Sequence, residues 1–323
     1  MNLIPFPRQT VLLGALLAAA TCHAFPDKTV TIIVPFAAGG SGDLVSRAVA
    51  DQLSAKWGKP VIVENRPGAG GQIGTSYVAR QPADGHTILM QSPATMISAE
   101  LLRDNAGYKT LKEFTAVTEV FSTPVVLVAS AKTRARDFSG FINEARANEK
   151  LSFASHGQGS STHYFGEQFK AAAHAPMVHV PVGGEGQMIT YILGGHVSSG
   201  FVSVSGAQKA VEAGGAWVVA VSGLNRWSSL PQVPTFHELG LEGLDRMSGM
   251  SYLVRSNTPP EITQKLSVAL RSAIDSPKTQ ESSKSLGVKI GSSTPEVAQE
   301  GLKKEFADWQ SYVLKFGNLT ETK

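Results

Sequence analysis

The amino-acid sequence predicts an α/β fold built largely on parallel strands, and three observations carry that reading. Short apolar runs alternate with stretches of helical periodicity along most of the chain, the pattern that stacks helices on a parallel sheet. The length of 323 residues suits two domains of ordinary size, or one chain crossing between them. Two turns of one design, "FAAGGSGD" and "SHGQGSSTH", each follow a strand and open a helix.

The N-terminus carries one basic residue, Arg8, then the apolar run "VLLGALLAAA" at 11–20 and the small-residue end "TCHA" before Phe25. That is the grammar of a secretory leader, so residues 1–24 are expected to be a signal peptide cleaved after Ala24. The apolar core falls short of the about twenty residues a membrane-spanning helix needs, and no later segment approaches that length. Cys22 is the only cysteine and leaves with the leader, so the exported chain is expected to have no disulfide and no thiol chemistry. A lipidated Cys22 is the competing reading, for which Ala19, Ala20 and Thr21 are a poor context. A formal charge of +3 with acids and bases interspersed gives no argument for nucleic acid or a membrane surface.

The elements follow in order. Ile32, Ile33 and Val34 read as a buried strand that Pro35 stops. Leu44, Val45, Ala48, Val49 and Leu53 recur at helical spacing, with Ser41 or Asp43 available to cap. "KPVIVENRPGAGG" gives a strand and a glycine-rich turn, "IGTSYVARQ" a helix and "HTILMQS" a strand. The second half repeats the grammar: a strand at 124–130, a helix at 138–148, the strand "LSFAS", a helix after the Gly-Ser turn and the strand "MVHVPV". A helix at 185–193 and the strands "VSSGFVSV" and "WVVAVSG" follow. The last part differs, with helices at 261–276 and 295–316.

The two like turns are the candidate site. Each offers backbone N–H groups at a helix N-terminus with hydroxyls beside them, a cradle for a carboxylate or a phosphate. If they lie in different domains and face each other, they form the two walls of a clamshell cleft for an anion. The plain alternative for either turn is a tight turn with a helix cap.

Nearly the whole exported chain resembles the Bug family, the periplasmic solute-binding proteins of tripartite tricarboxylate transporters. The resemblance rests on ordered blocks: "IIVPFAAGGSGDLVSRAVADQLSAKWGKPVIVENRPGAGGQIG", "PADGHTIL", "LKEFTAVT", "SFASHGQGSSTHYFGEQF", "HVPVGGEGQMITYILGGHV" and "LPQVPTFHELGLEG". It implies a type II periplasmic binding protein fold, with two α/β domains and the ligand cleft between them. Domain 1 would comprise 25–121 and 227–323, and domain 2 residues 122–226. It implies a small-carboxylate ligand, integral membrane transporter subunits as partners, a periplasmic monomer, and no cofactor, metal or enzymatic activity. Carried over residue by residue, the ligand contacts are Phe36, Ala37, Ala38, Gly39, Gly40 and Asp43 on one wall. On the other they are Ser155, His156, Gly157, Gln158, Gly159, Ser160 and Thr162, with Ser92 and Thr95 from the turn after the third strand. Departures from the family pattern at Gln72, His86, His156, Val182 and Ser198 bear on which carboxylate is bound. A receptor that presents its liganded form to a membrane sensor would need the same cleft.

Rival chemistries have partial support. Gly68, Gly70 and Gly74 imitate a dinucleotide fingerprint, and Tyr108 with Lys112 makes a Tyr-x-x-x-Lys pair; against this, the strand "TILMQS" ends without the acid that takes a ribose. Ser160 and His163 suggest a serine hydrolase, but no G-x-S-x-G elbow is present. The eight histidines include no H-x-x-x-H pair, which argues against a metal site. Arg47 and Arg66 could steer an anion, with a solvated or salt-bridge role as the plainer reading, and Met247 and Met250 read as core.

Overall fold

Ile32, Ile33 and Val34 are fully buried, as a strand covered by helices on both faces requires. They belong to a computed structural model that describes residues 25–36, 38–102, 105–157, 160–182, 184–283 and 289–316. The leader expected at 1–24 and the site residues Ala37, Gln158 and Gly159 lie outside these.

Strand β1 (Val30–Val34) leads to helix α1 (Ser41–Trp57), β2 (Val61–Asn65) to α2 (Gln72–Ala79), and β3 (Thr87–Gln91) to α3 (Pro93–Leu102). A single turn, α4 (Thr110–Glu113), precedes the long β4 (Phe114–Pro124) and then β5 (Val126–Ser130). Next come α5 (Phe138–Ala147), β6 (Ser152–Ser155), α6 (Ser161–Ala173), β7 (Val178–Pro181) and α7 (Glu185–Gly194). They are followed by β8 (Ser199–Val202), α8 (Val204–Glu212) and β9 (Ala216–Val221). The chain ends with β10 (Met247–Arg255), α9 (Pro260–Ile274), α10 (Pro277–Ser283), β11 (Lys289–Ile290) and α11 (Pro295–Phe316).

These strands form two sheets, one six-stranded with the order β11-β4-β10-β3-β1-β2 and one five-stranded with the order β7-β6-β8-β5-β9. The chain passes from the first to the second between Pro124 and Val126, and returns between Val221 and Met247. The expectation of largely parallel sheets is corrected. β1 pairs in parallel with β2 and β3, and β6 with β7 and β8. β10, however, runs antiparallel to β3 and β4, and β5 antiparallel to β8 and β9. The reason is the passage itself. β4 ends where β5 begins, so the carboxyl ends of the first sheet's parallel strands point toward the second sheet. A strand that arrives from the other sheet starts at that end and must run the opposite way.

The sequence reading also missed α3, α8, β4 and β10. The sequence of "SPAT" suggests a turn, but Pro93 opens α3, where a residue without an N–H costs nothing. The apolar alternation of "VSV" suggests strand, but the Ser203 hydroxyl accepts the Gly206 N–H at 3.0 Å and starts α8. One face of the first sheet packs Val30, Ile32 and Val34 against Val45, Val49 and Leu53 of α1 and Leu266 and Leu270 of α9. On the other face, apolar contacts run from Ile33 and Leu89 through Met96 and Trp309 to Phe153, Phe169 and Phe201 of the second-sheet region.

Candidate functional site

The first turn is tied from within. Gly40 opens α1 with extended backbone and no side-chain cap, so neither Ser41 nor Asp43 caps in the expected way. The Asp43 carboxylate reaches back instead: Oδ2 accepts the Gly39 N–H at 2.8 Å, with Gly39 at φ +88°. Arg47 binds both carboxylate oxygens, Nη2 to Oδ1 at 2.9 Å and Nε to Oδ2 at 3.2 Å. Asn65, at the end of β2, donates to Asp43 Oδ1 at 3.0 Å and to the Phe36 carbonyl at 3.1 Å. Burial works to raise the Asp43 pKa, but the bonds from Arg47, Gly39 and Asn65 outweigh it and hold the carboxyl below its ordinary value. Asp43 is thus enclosed, with 2 % of its surface exposed, and the Gly39 N–H is already engaged. Ala38 and Gly40 are exposed, and the first N–H groups of α1 have no acceptor inside the helix.

The glycines that imitate a dinucleotide fingerprint have a packing reason. A Cβ on Gly68 would lie 2.5 Å from Ile73 Cδ1 and one on Gly74 2.7 Å from Pro35 Cβ, and on the neighbouring Gly71 a Cβ would lie 2.5 Å from Gln91 Nε2. The segment presses against the back of the first turn, where only hydrogen fits. Arg66 pairs with Glu64 at 2.6 Å and lies over the Tyr77 ring.

The second turn is organised by other atoms to the same end. Ser160 caps α6: its Oγ accepts the His163 N–H at 3.2 Å and donates to the Gly157 carbonyl at 2.7 Å. Thr162 Oγ1 accepts the His156 N–H at 2.9 Å. Ser155 is fully buried, and its Oγ accepts the Gly157 N–H at 3.1 Å, with Gly157 at φ +114°. His156 is exposed at the turn. The surrounding protein lowers its pKa below the ordinary value, and the Glu185 carboxylate partly offsets this. The Ser160–His163 pairing that suggested a hydrolase is a backbone cap, while the His163 ring is buried.

Beneath the second turn lies an arrangement that sequence reasoning missed. The His163 and His179 rings stack with centroids 3.6 Å apart and 12° between planes, and His179 Nε2 lies 2.7 Å from Ser155 Oγ. Burial lowers the His163 pKa to about 3, helped by the His179 and Lys170 charges. Burial, then Lys170, lowers that of His179 to about 4. Both rings are therefore neutral near pH 7. The stretch "MVHVPV" showed only that His179 sits on a strand; its position beside Ser155 follows from the pairing of β6 with β7, Ser155 opposite Pro181.

Ser92, buried, and Thr95, half-buried in the first turn of α3, complete the candidates. Ser92 lines a cavity of about 290 Å³ with Phe121 of β4, Met247 and Met250 of β10, and Leu302 of α11. The cavity lies against the returning strand and contains no residue of the two glycine turns. Met247 and Met250, expected in the core, are half-buried here. Met250 Cε lies 4.0 Å from where a Gly42 Cβ would stand, beside the start of α1. No cluster of three or more metal-ligating side chains occurs among the described residues, and no helix among them is long and apolar enough to cross a membrane.

Two sheets with a crossing chain, and helix-opening turns at the carboxyl ends of a strand in each, are the arrangement of a two-domain periplasmic binding protein. The chain belongs to the tripartite tricarboxylate transporter receptor family, which matches residues 45–307. It is 33% identical over 318 residues, 96% of this chain and 94% of the other, to the UPF0065 protein in the tcbD-tcbE intergenic region of Pseudomonas sp. (strain P51). It is 28% identical to protein BugT of Bordetella pertussis, covering 93% of each chain. Among solved structures, a periplasmic transporter superimposes with a TM-score of 0.77 at 32% identity, over 92% of this chain and 99% of the other. An R. palustris protein with adipate gives a TM-score of 0.76 at 27% identity, over 90% and 97%. MatC from Rhodopseudomonas palustris with bound malate gives 0.74 at 28%, over 90% and 100%.

Proposed function

We propose that this chain is an extracytoplasmic solute receptor that captures a small organic carboxylate between two lobes and delivers it to the membrane subunits of a tripartite tricarboxylate-type transporter. The observation that carries the reading is the pair of like turns, one after β1 and one after β6, each opening a helix and each braced by its own hydroxyl or carboxylate acceptors. Small acids in two similar structures, malate in one and adipate in the other, support the same class of ligand. The lobes are 25–121 with 227–323, and 122–226; the sheet membership of the strands supports a crossing beside Pro124 and a return between Val221 and Met247, while Trp227, Leu230 and Val233 still pack on the core of the second sheet. Solute would meet Phe36, Ala37, Ala38, Gly40, Ser92 and Thr95 from one lobe and His156, Gln158, Gly159 and Ser160 from the other. Gly39, Asp43, Ser155, Gly157 and Thr162 would hold the turns in shape. The receptor works as a monomer in the periplasm after loss of residues 1–24, and has no catalytic step.

Thermal unfolding of ligand-stripped protein with malate, adipate, citrate, aromatic carboxylates and amino acids tests this. A ligand bound only by the folded state at a hundred times its Kd adds about 2.7 kcal/mol of apparent stability. A midpoint raised by at least one carboxylate supports the reading. A flat response to every carboxylate, or turnover of an ester substrate, overturns it.

A further inference from the structure

The stacked histidines beneath the second turn do more than fill space. Packing alone would be served by an apolar ring, as Phe153 shows, with its centroid 5.0 Å from that of His179. What an apolar ring lacks is the nitrogen 2.7 Å from Ser155 Oγ. Ser155 Oγ has one proton and two lone pairs. One lone pair takes the Gly157 N–H at 3.1 Å. Among the described residues two neighbours remain, His179 Nε2 and the Gly157 carbonyl oxygen, the latter also at 3.1 Å. Only one of them can receive the hydroxyl proton. If His179 carries its proton on Nε2, it donates to Ser155, the hydroxyl turns to the Gly157 carbonyl, and all three contacts are hydrogen bonds. If the proton is on Nδ1, the hydroxyl donates to the ring, and the Gly157 carbonyl keeps the Ser160 hydroxyl at 2.7 Å. The tautomer of one half-buried ring thus fixes the direction of the hydrogen bonds at the turn.

We propose that His179, braced by His163, is a positioning residue for solute capture, acting through Ser155 on the Gly157 turn, and that a bound carboxylate selects its Nε2–H tautomer. The inference rests on the solute reading of that turn. It follows from the dipoles. With Nε2 protonated, the chain from ring to hydroxyl to carbonyl points its positive end toward the turn, which favours an anion there; the other tautomer points it away. The ring is held in register from several elements. His163 of α6 stacks on it, Phe153 of β6 lies with its centroid 5.0 Å away, Glu167 Oε1 lies 3.8 Å from His163 Nε2, and Glu167 binds Lys170 at 3.0 Å. Because the pair is neutral near pH 7, the control is exerted by tautomer rather than by charge.

Two arms test the proposal. In the first, amide hydrogen exchange of Gly157 is compared in ligand-free wild type, His179→Phe and His179→Gln. The Phe variant keeps a ring without the nitrogen and is expected to exchange Gly157 about tenfold faster, because Ser155 Oγ, the acceptor of the Gly157 N–H, loses the partner that fixes its hydroxyl, with the β6 core amides unchanged. Gln, which restores a donor, is expected to recover most of the protection. An unchanged Gly157 rate in the Phe variant, or no recovery by Gln, overturns the positioning role. In the second arm, ring nitrogen chemical shifts of His179 are read in unmutated protein with malate and with adipate, so that folding of a variant is not at issue. A shift toward the Nε2–H form on binding supports the proposal, and binding with no change in the ring nitrogens overturns the tautomer step. If Gly157 responds in the first arm but neither these acids nor any other carboxylate binds, the solute reading fails, and with it the role in capture.

Discussion

Asp43 Oδ2 accepts the Gly39 N–H at 2.8 Å, so the first helix reaches back to fasten the loop that precedes it. Thr162 does the same in the second lobe, taking the His156 N–H at 2.9 Å. In both turns a side chain from the opening turn of the helix closes over a loop amide. The loop is shaped before any solute arrives, and solute is left with the donors the helix cannot satisfy itself.

Replacing Asp43 with Ala is expected to cost about 1–3 kcal/mol, because the Gly39 N–H, Asn65 and Arg47 all lose an acceptor. Asp43→Asn, which keeps one oxygen, should lose less. The sign with pH is definite: the folded pKa is depressed, so the contribution is present above the unfolded value of about 3.9 and is lost as pH falls through the folded pKa. Urea unfolding between neutral pH and the acid limb checks this. A variant as stable as wild type at pH 7 would show that Asp43 does not brace the turn.

His156 should give solute binding a pH slope. The free ring is depressed below its ordinary 6.5, and a carboxylate beside it would raise it. The extra affinity is then full below the free-protein pKa and fades as pH rises through the pKa of the complex. Calorimetry of wild type and His156→Ala from about pH 5.5 to 8.5 separates this from titration of the solute, which both proteins share. Parallel slopes would leave His156 a steric role only.

Much of this was legible in the sequence because it was local. β1, α1 and α11 declared themselves through apolar runs and helical spacing, and the two turns through glycine and serine beside them. What was hidden depended on residues distant in the chain. The strands β4 and β10 carry mixed burial along their lengths, and their antiparallel course follows from the passage between sheets, which no periodicity reports. Asn65 is 22 residues from Asp43, and His179 is 24 from Ser155; only strand pairing brings them together. Family resemblance pointed to the turns, while the bonds that shape them emerged only in three dimensions.

Gly166 on α6 is expected to tolerate no side chain. A Cβ there would fall 1.8 Å from Phe153 Cε2, and Phe153 is fully buried beside the histidine pair. Gly166→Ala should therefore destabilise by about 1–3 kcal/mol through overpacking, against the usual gain from Ala in a helix. It should also weaken solute binding, since α6 carries Ser160 and Thr162 at its start. A thermal midpoint equal to or above that of wild type would show that Phe153 has room to move.

Arg246 and Tyr164 meet where the two lobes join. Arg246, just before β10, binds Glu305 at 2.7 Å and Asp308 at 3.2 Å on α11, and donates to the Tyr164 hydroxyl at 3.4 Å. Tyr164 is four residues beyond the Ser160 cap, and its ring packs on Trp309 and Tyr312 with centroids 5.0 and 4.6 Å away. The helix that carries the second turn is thereby clasped to the C-terminal helix packed on the first sheet. Burial raises the Glu305 pKa even with Arg246 opposing, so removing the cation leaves a carboxyl with poor solvation and no counter-charge. Arg246→Met is expected to cost up to about 3 kcal/mol, and adding Glu305→Leu to recover a large part of it, because an apolar pair avoids the desolvation that the ion pair bears. Tyr164→Leu, which leaves the ion pair intact, should loosen the clasp. In small-angle scattering the ligand-free variant should show a larger radius of gyration than wild type, with the two converging at saturating solute. Equal radii in both states would mean that Tyr164 only packs; failure of the double variant to recover stability would mean that Arg246 contributes through its other contacts.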